Sequence, residues 1–182
     1  FGFFLLLPHF SGILQSEGGE TVCHYLNKEE KDLWLPRLFD LLYENMHAIA
    51  PSNLSYKQEK AQWLSAVSPA LEKEPRQIIL CFPQGDLAGY VQYYIKDKML
   101  MIEEIQIKQK YHRTFLFYKL CKFMVSVFPK DLQTVEAYAD KRNLYSISLM
   151  RKLGMSACET EKDSPFIHFR GSAKKIYSFF NR

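Results

Sequence analysis

Ala88–Leu120, AGYVQYYIKDKMLMIEEIQIKQKYHRTFLFYKL, is the stretch from which the rest of the chain can be read. Ala88–Ile95 and Met99–Ile107 are rich in β-branched and aromatic residues, and only Lys96-Asp97-Lys98 separates them, the length of a hairpin connection. A basic turn, KQKYHR, leads into Phe115–Phe128, where Leu116, Leu120, Phe123 and Val127 recur at helical spacing until Pro129 stops them. Strand, loop and helix start in that order suit an anion, because the first helical turn offers unpaired N–H groups at the positive end of the dipole. This loop contains no glycine. Glu103 and Glu104 on the second strand should point to opposite faces, since side chains alternate there, unless a bulge changes the count.

Working outward towards the N-terminus, QIILCF at 77–82 is a strand that ends at the turn Pro83-Gln84-Gly85-Asp86. Ser55 with Gln58 has the spacing of a capping box, and Ala61, Leu64, Val67 and Leu71 form the buried stripe of a helix that Pro69 should end. Asn27 with Glu30 repeats the cap before Leu35, Phe39, Leu42, Met46 and Ile49. Pro36 predicts a short turn at 28–34 and a helix restarting near the proline. Thr21–Leu26 alternates as a first strand. Towards the C-terminus, TVEAYA at 134–139 is a strand and Asn143–Leu153 a helix closed by Gly154. Met155–Glu159 and Phe166–Arg170 are the last strands, before a basic, aromatic tail at 171–182. Strands interleaved with helices and hairpins predict an α/β (α+β) domain over 21–170, a mixed sheet with helices on both faces.

The 182 residues suffice for one domain with a real core, and 47% apolar content excludes a disordered chain. A net charge of +4 from 24 Lys+Arg and 20 Asp+Glu argues against a molecule-wide nucleic-acid binder, so any anion preference is local. The four cysteines, Cys23, Cys81, Cys121 and Cys158, form no C-x-x-C pair and no metal-ligand spacing. They read as reduced, mostly buried thiols of a cytoplasmic protein without a metal; a disulfide framework or zinc site is the alternative. FGFFLLLPHFSGIL at 1–14 is broken by Pro8 and too short to span a bilayer. It is expected as an N-terminal extension packing on the domain or on a second copy in a homodimer, a truncated signal or anchor being the alternative.

Two segments carry a family resemblance. Ile107-Lys-Gln-Lys-Tyr111-His112-Arg-Thr-Phe115-Leu-Phe117-Tyr-Lys-Leu120 is similar to the strand end and pyrophosphate loop of the GNAT superfamily of acyl-coenzyme A-dependent N-acyltransferases, usually V-x-P-x-Y-R-x-x-G-x-G-x-x-L. Asn143-Leu-Tyr-Ser146-Ile-Ser-Leu-Met150-Arg-Lys-Leu153-Gly154-Met155 resembles the family's later helix, usually N-x-x-A-x-x-x-Y-x-x-x-G-F. With the element order, the likeness covers roughly Thr21 to Arg170 and implies a mostly antiparallel central sheet.

What the resemblance implies is acetyl transfer from acetyl-CoA, or another acyl-CoA, to a primary amine on a small molecule or peptide, with neither nucleic acid nor membrane as partner. The cofactor's pyrophosphate would rest on the backbone of His112, Arg113, Thr114, Phe115, Leu116 and Phe117, with Asn143 nearby. An N–H along Ile105, Gln106 and Ile107 would polarise the thioester carbonyl. Glu103 or Glu104 would take the amine proton, and Tyr145 would stand in for the tyrosine that usually reprotonates the thiolate. The chain departs from the pattern at His112, at Phe115 and Phe117 in place of both glycines, and at Met150 in place of the tyrosine. Phenyl rings remove the room for close backbone approach, for which Lys108, Lys110, His112 and Arg113 would compensate with charge. The same departures fit a GNAT-fold module that has lost catalysis and serves in binding or assembly. His47 and Asn53 would line the acceptor side.

Overall fold

The computed structural model describes residues 21–73, 75–112, 114–159 and 162–181; the N-terminal extension 1–20, with the apolar run 1–14 and its expected packing, lies outside them. Among the described residues, seven strands form one sheet: β1 (Thr21–Tyr25), β2 (Arg76–Pro83), β3 (Gly89–Lys96), β4 (Met99–Ile107), β5 (Thr134–Asp140), β6 (Ser156–Ala157) and β7 (Phe166–Ser172). The order is β1-β2-β3-β4-β5-β7-β6, and every neighbouring pair is antiparallel except β4 with β5. Helices α1 (Lys31–Met46) and α2 (Tyr56–Lys73) cover one face, burying Leu38, Phe39, Trp63 and Val67 against Ile78, Leu80 and Tyr90. Helices α3 (Leu116–Val127), α4 (Leu144–Lys152) and α5 (Ala173–Phe180) cover the other, over Ile79, Val91, Ile105 and Val135.

Local chemistry accounts for most boundaries. The Ser55 N–H donates to Gln58 Oε1 at 2.9 Å, one half of the capping box that starts α2. Asp97 and Lys98 both take left-handed φ, +48° and +61°, closing the β3–β4 hairpin in two residues. Gly154, φ +77°, ends α4.

Both prolines lie inside their helices, contrary to expectation. α1 runs through Pro36 and α2 through Pro69. An interior proline costs about 3 kcal/mol. In α1, Leu35, Leu38, Phe39 and Leu42 are buried, each contributing roughly 2 kcal/mol, so burial outweighs the lost bond. The second departure is at the C-terminus, where the expected tail continues β7 to Ser172 and then forms α5 against α3. Its apolar positions Ile176, Tyr177 and Phe180 have helical spacing. The strand expected at 155–159 is reduced to Ser156–Ala157.

Candidate functional site

The site grows from the parallel step of the sheet. β4 and β5 pair from Met99 opposite Thr134 to Ile102 opposite Ala137, and there the pairing stops, although β4 continues to Ile107 and β5 to Asp140. The strands splay apart at that point. The Lys108 N–H donates to the Ala88 carbonyl at 2.7 Å, so residues 108, 106 and 104 form the hydrogen-bonded pairs with β3. Backbone groups of Ile105 and Ile107 therefore point away from β3 and into the splay.

A bulge starts at the same level. Gln92 pairs with Glu104 and Tyr93 with Ile102, which leaves Glu103 as an extra residue. Ile102 and Ile105 stay on the α3 side, whereas Glu103 and Glu104 both turn towards the α1–α2 face, where opposite faces were expected. Glu103 accepts from Arg76 Nε at 2.5 Å, Arg76 Nη2 at 2.6 Å and Gln92 Nε2 at 3.0 Å. Glu104 is only 3% exposed and accepts from Trp63 Nε1 at 3.0 Å and Tyr90 Oη at 2.6 Å. Burial pushes its carboxyl up to about 7 against those two bonds. Gln92 Oε1 is buried and finds no hydrogen-bond partner among the described residues, so a buried acceptor lies beside the Glu103 carboxylate.

Across the splay the same face carries Glu136, Tyr138 and His168. His168 Nε2 meets Glu136 Oε2 at 2.7 Å, Arg170 Nε donates to Glu136 Oε1 at 2.7 Å, and the His168 ring stacks on Tyr138 at 4.6 Å. Burial, followed by the Glu103 carboxylate, holds the Tyr94 phenol above its usual range, against a lowering effect of Arg76. Gln92, Glu103, Glu136 and His168 thus lie on one face of β3, β4, β5 and β7.

The loop after β4 is less open than its sequence suggests. His112 folds back, and its Nε2–H donates to the Ile107 carbonyl at 2.7 Å. Asn45 Nδ2 donates to that carbonyl at 3.0 Å and to Gln106 Oε1 at 2.9 Å, pinning the strand end to α1. Within the loop, the His112 N–H goes to Gln109, the Thr114 N–H to Tyr111 and the Leu116 N–H to Thr114 Oγ1. Phe115 is half-buried, while Leu116 and Phe117 are core residues. Arg113 lies outside the described residues. Lys110 pairs with Asp86 at 3.9 Å.

Phe117 packs edge-on against Phe180 of α5, centroids 6.1 Å apart. Between β4, α3, α4 and α5 an apolar cavity of about 40 Å³ remains, walled by Ile105, Phe117, Met150, Ile176 and Phe180 among others. Asn143 is buried and caps α4, its Oδ1 accepting the Ser146 N–H at 3.0 Å. Tyr145 is half-buried against the same core, and burial raises its phenol to about 12. His47 stacks on Tyr43 at the end of α1, and Asn53 is exposed. The sequence did not single out Gln92, Asn45, Glu136 or His168; only alternation along TVEAYA and FIHFR puts the last two on one face.

Comparison with solved structures places this architecture. A PaiA N-acetyltransferase from Thermoplasma acidophilum in complex with coenzyme A superposes with TM-score 0.62 and 13% identity, covering 84% of this chain and 99% of that one. The fold is that of the GNAT acetyltransferases. An acetyltransferase from Thermus thermophilus gives TM-score 0.65 at 12% identity, over 84% of this chain and 96% of that one. An aminoglycoside acetyltransferase in complex with coenzyme A gives 0.61 at 15%, over 87% and 98%. No sequence-family model and no curated protein matches the chain. Among the described residues, no helix is long and apolar enough to cross a membrane.

Proposed function

We propose that the chain is an acyl-CoA-dependent N-acyltransferase that moves an acetyl or related acyl group from coenzyme A to a primary amine. The observation that carries this reading is the splay beyond Ile102 and Ala137, where no β5 residue pairs with Ile105 or Ile107 and their N–H groups face away from β3. The pantetheine arm enters that gap, and an N–H of Ile105 or Ile107 stabilises charge developing on the thioester oxygen. The amine binds on the opposite face, approaching Glu103. Glu103, held by Arg76, takes the amine proton directly or through water. Tyr145, its phenol raised to about 12 and so protonated at neutral pH, supplies a proton to the departing thiolate. The pyrophosphate lies over Phe115 and the first turn of α3, where fewer backbone donors remain than in a glycine loop.

A test is amine-dependent release of CoA thiol from acetyl-CoA across a panel of small amines and peptides. Release should fall roughly 10²- to 10⁴-fold in Glu103→Gln. Unchanged release in that variant would remove Glu103 from the mechanism. The contact of Phe117 with Phe180 favours a second reading, a GNAT-fold binding or assembly module, for which no amine gives release.

A further inference from the structure

Away from the splay, the edge of the sheet holds a second group of reactive side chains. Cys23 on β1 lies directly opposite Cys81 on β2. The Leu26 N–H donates to the Ile78 carbonyl at 2.8 Å, so 26 and 78 form a hydrogen-bonded pair. By alternation 24/80 and 22/82 do too, while 25/79, 23/81 and 21/83 are non-hydrogen-bonded pairs. Pro83, which has no N–H, accordingly occupies a pair that needs none. In a non-hydrogen-bonded pair the Cα atoms are about 4.5 Å apart, within the roughly 4.4–6.8 Å that a disulfide spans.

Both cysteines face α3. Cys81 is fully buried in that core and Cys23 is half-buried against it, on the same face of the paired strands. Lys119 of α3 reaches across to β1, its Nζ donating to Thr21 Oγ1 at 3.1 Å, and its charge favours a thiolate at Cys23. A partly exposed thiol beside a cation, with a second thiol opposite, is the arrangement of an attacking cysteine and its resolving partner.

We propose that Cys23 and Cys81 form a peroxide-reactive dithiol that closes to a cross-strand disulfide, locking the edge strand β1 onto β2. The Cys23 thiolate attacks a peroxide oxygen, breaks the O–O bond and becomes a sulfenic acid, releasing hydroxide. The Cys81 sulfur then attacks the Cys23 sulfur, and the S–O bond breaks. Hydroxide leaves and takes up the Cys81 proton as water. Two thiols give up two electrons and two protons, and one hydrogen peroxide becomes two waters. Cys121, also buried near Cys81, is the competing partner, and Cys158 lies elsewhere on the chain.

The test exposes the folded full chain to millimolar hydrogen peroxide, quenches with catalase, unfolds it in maleimide and maps peptides without reductant. Two of the four cysteines should escape alkylation, the mass should fall by about 2 Da, and one cross-linked peptide should join Cys23 to Cys81. Dithiothreitol should reverse all three, and the oxidised form should melt about 5 °C higher or more, because the bridge closes a long loop. Cys121→Ala with Cys158→Ala should leave the crosslink intact, and Cys81→Ala should divert Cys23 to sulfenic and sulfinic acid. Four alkylated cysteines, a link through Cys121, an intermolecular dimer, or oxygen added at Cys23 of the unaltered chain without a crosslink would each overturn the proposal.

Discussion

Ile102 of β4 and Ala137 of β5 are the last residues to face one another across the parallel step of the sheet. The next residue of β4, Glu103, is the bulged one. Opening and bulge therefore lie at one level of the sheet. From that level β4 has no partner on the β5 side, while Glu103 and Glu104 both turn to the α1–α2 face.

The two loop phenylalanines should respond in opposite ways. Phe117 is buried against Phe180, so Phe117→Gly should destabilise by about 4 kcal/mol and gain nothing in CoA binding. Phe115 is half-buried at the N-cap of α3, so Phe115→Gly should tighten CoA binding several-fold at a cost of about 1 kcal/mol. Chemical denaturation with calorimetric titration of CoA reads both, and tighter binding in Phe117→Gly would reverse the assignment.

Glu104 should make stability fall with rising pH. Its carboxyl sits at about 7 in the folded chain against an ordinary value of 4.5, so between those values the folded state holds a proton that the unfolded state has released. The contribution is complete below about pH 4.5 and lost as pH rises through about 7, on the order of 3 kcal/mol. Denaturant melts from pH 4.5 to 8 should show this decline, and Glu104→Gln should flatten it. An equal slope in the variant would assign the decline to other groups.

Much of the frame is legible in the sequence, for identifiable reasons. The hairpin around Asp97 and Lys98, the cap at Ser55 and the stop at Gly154 are short-range signals, written in adjacent residues. Pro36 and Pro69 mislead because local propensity gives way to burial against a sheet assembled from distant strands. The bulge at Glu103 leaves no local mark, since it depends on register with Gln92 and Tyr93. His168 and Glu136 meet 32 positions apart, and Cys23 and Cys81 meet only through strand pairing. The loop was readable as a loop, but Phe117 turned inward because α5 supplies Phe180 to receive it.

Asn45 ties α1 to the end of β4 through Gln106 and the Ile107 carbonyl. Asn45→Leu leaves the buried Gln106 amide oxygen without that donor, and it should cost about 2 kcal/mol. It should also weaken CoA binding, because the strand end that lines the splay loses its anchor. Retained binding at reduced stability would confine Asn45 to a structural role.

Under the proposed function, the gap beyond Ile102 and Ala137 receives the pantetheine arm of an acyl-CoA. The most direct measurement of this is the melting temperature of the folded chain titrated with CoA and acetyl-CoA to millimolar concentration. A saturable rise is expected, about 2.7 kcal/mol of stabilisation at a hundredfold excess over Kd, with adenosine diphosphate alone giving less. No shift with any short acyl-CoA, in protein shown by circular dichroism to be folded, would contradict it.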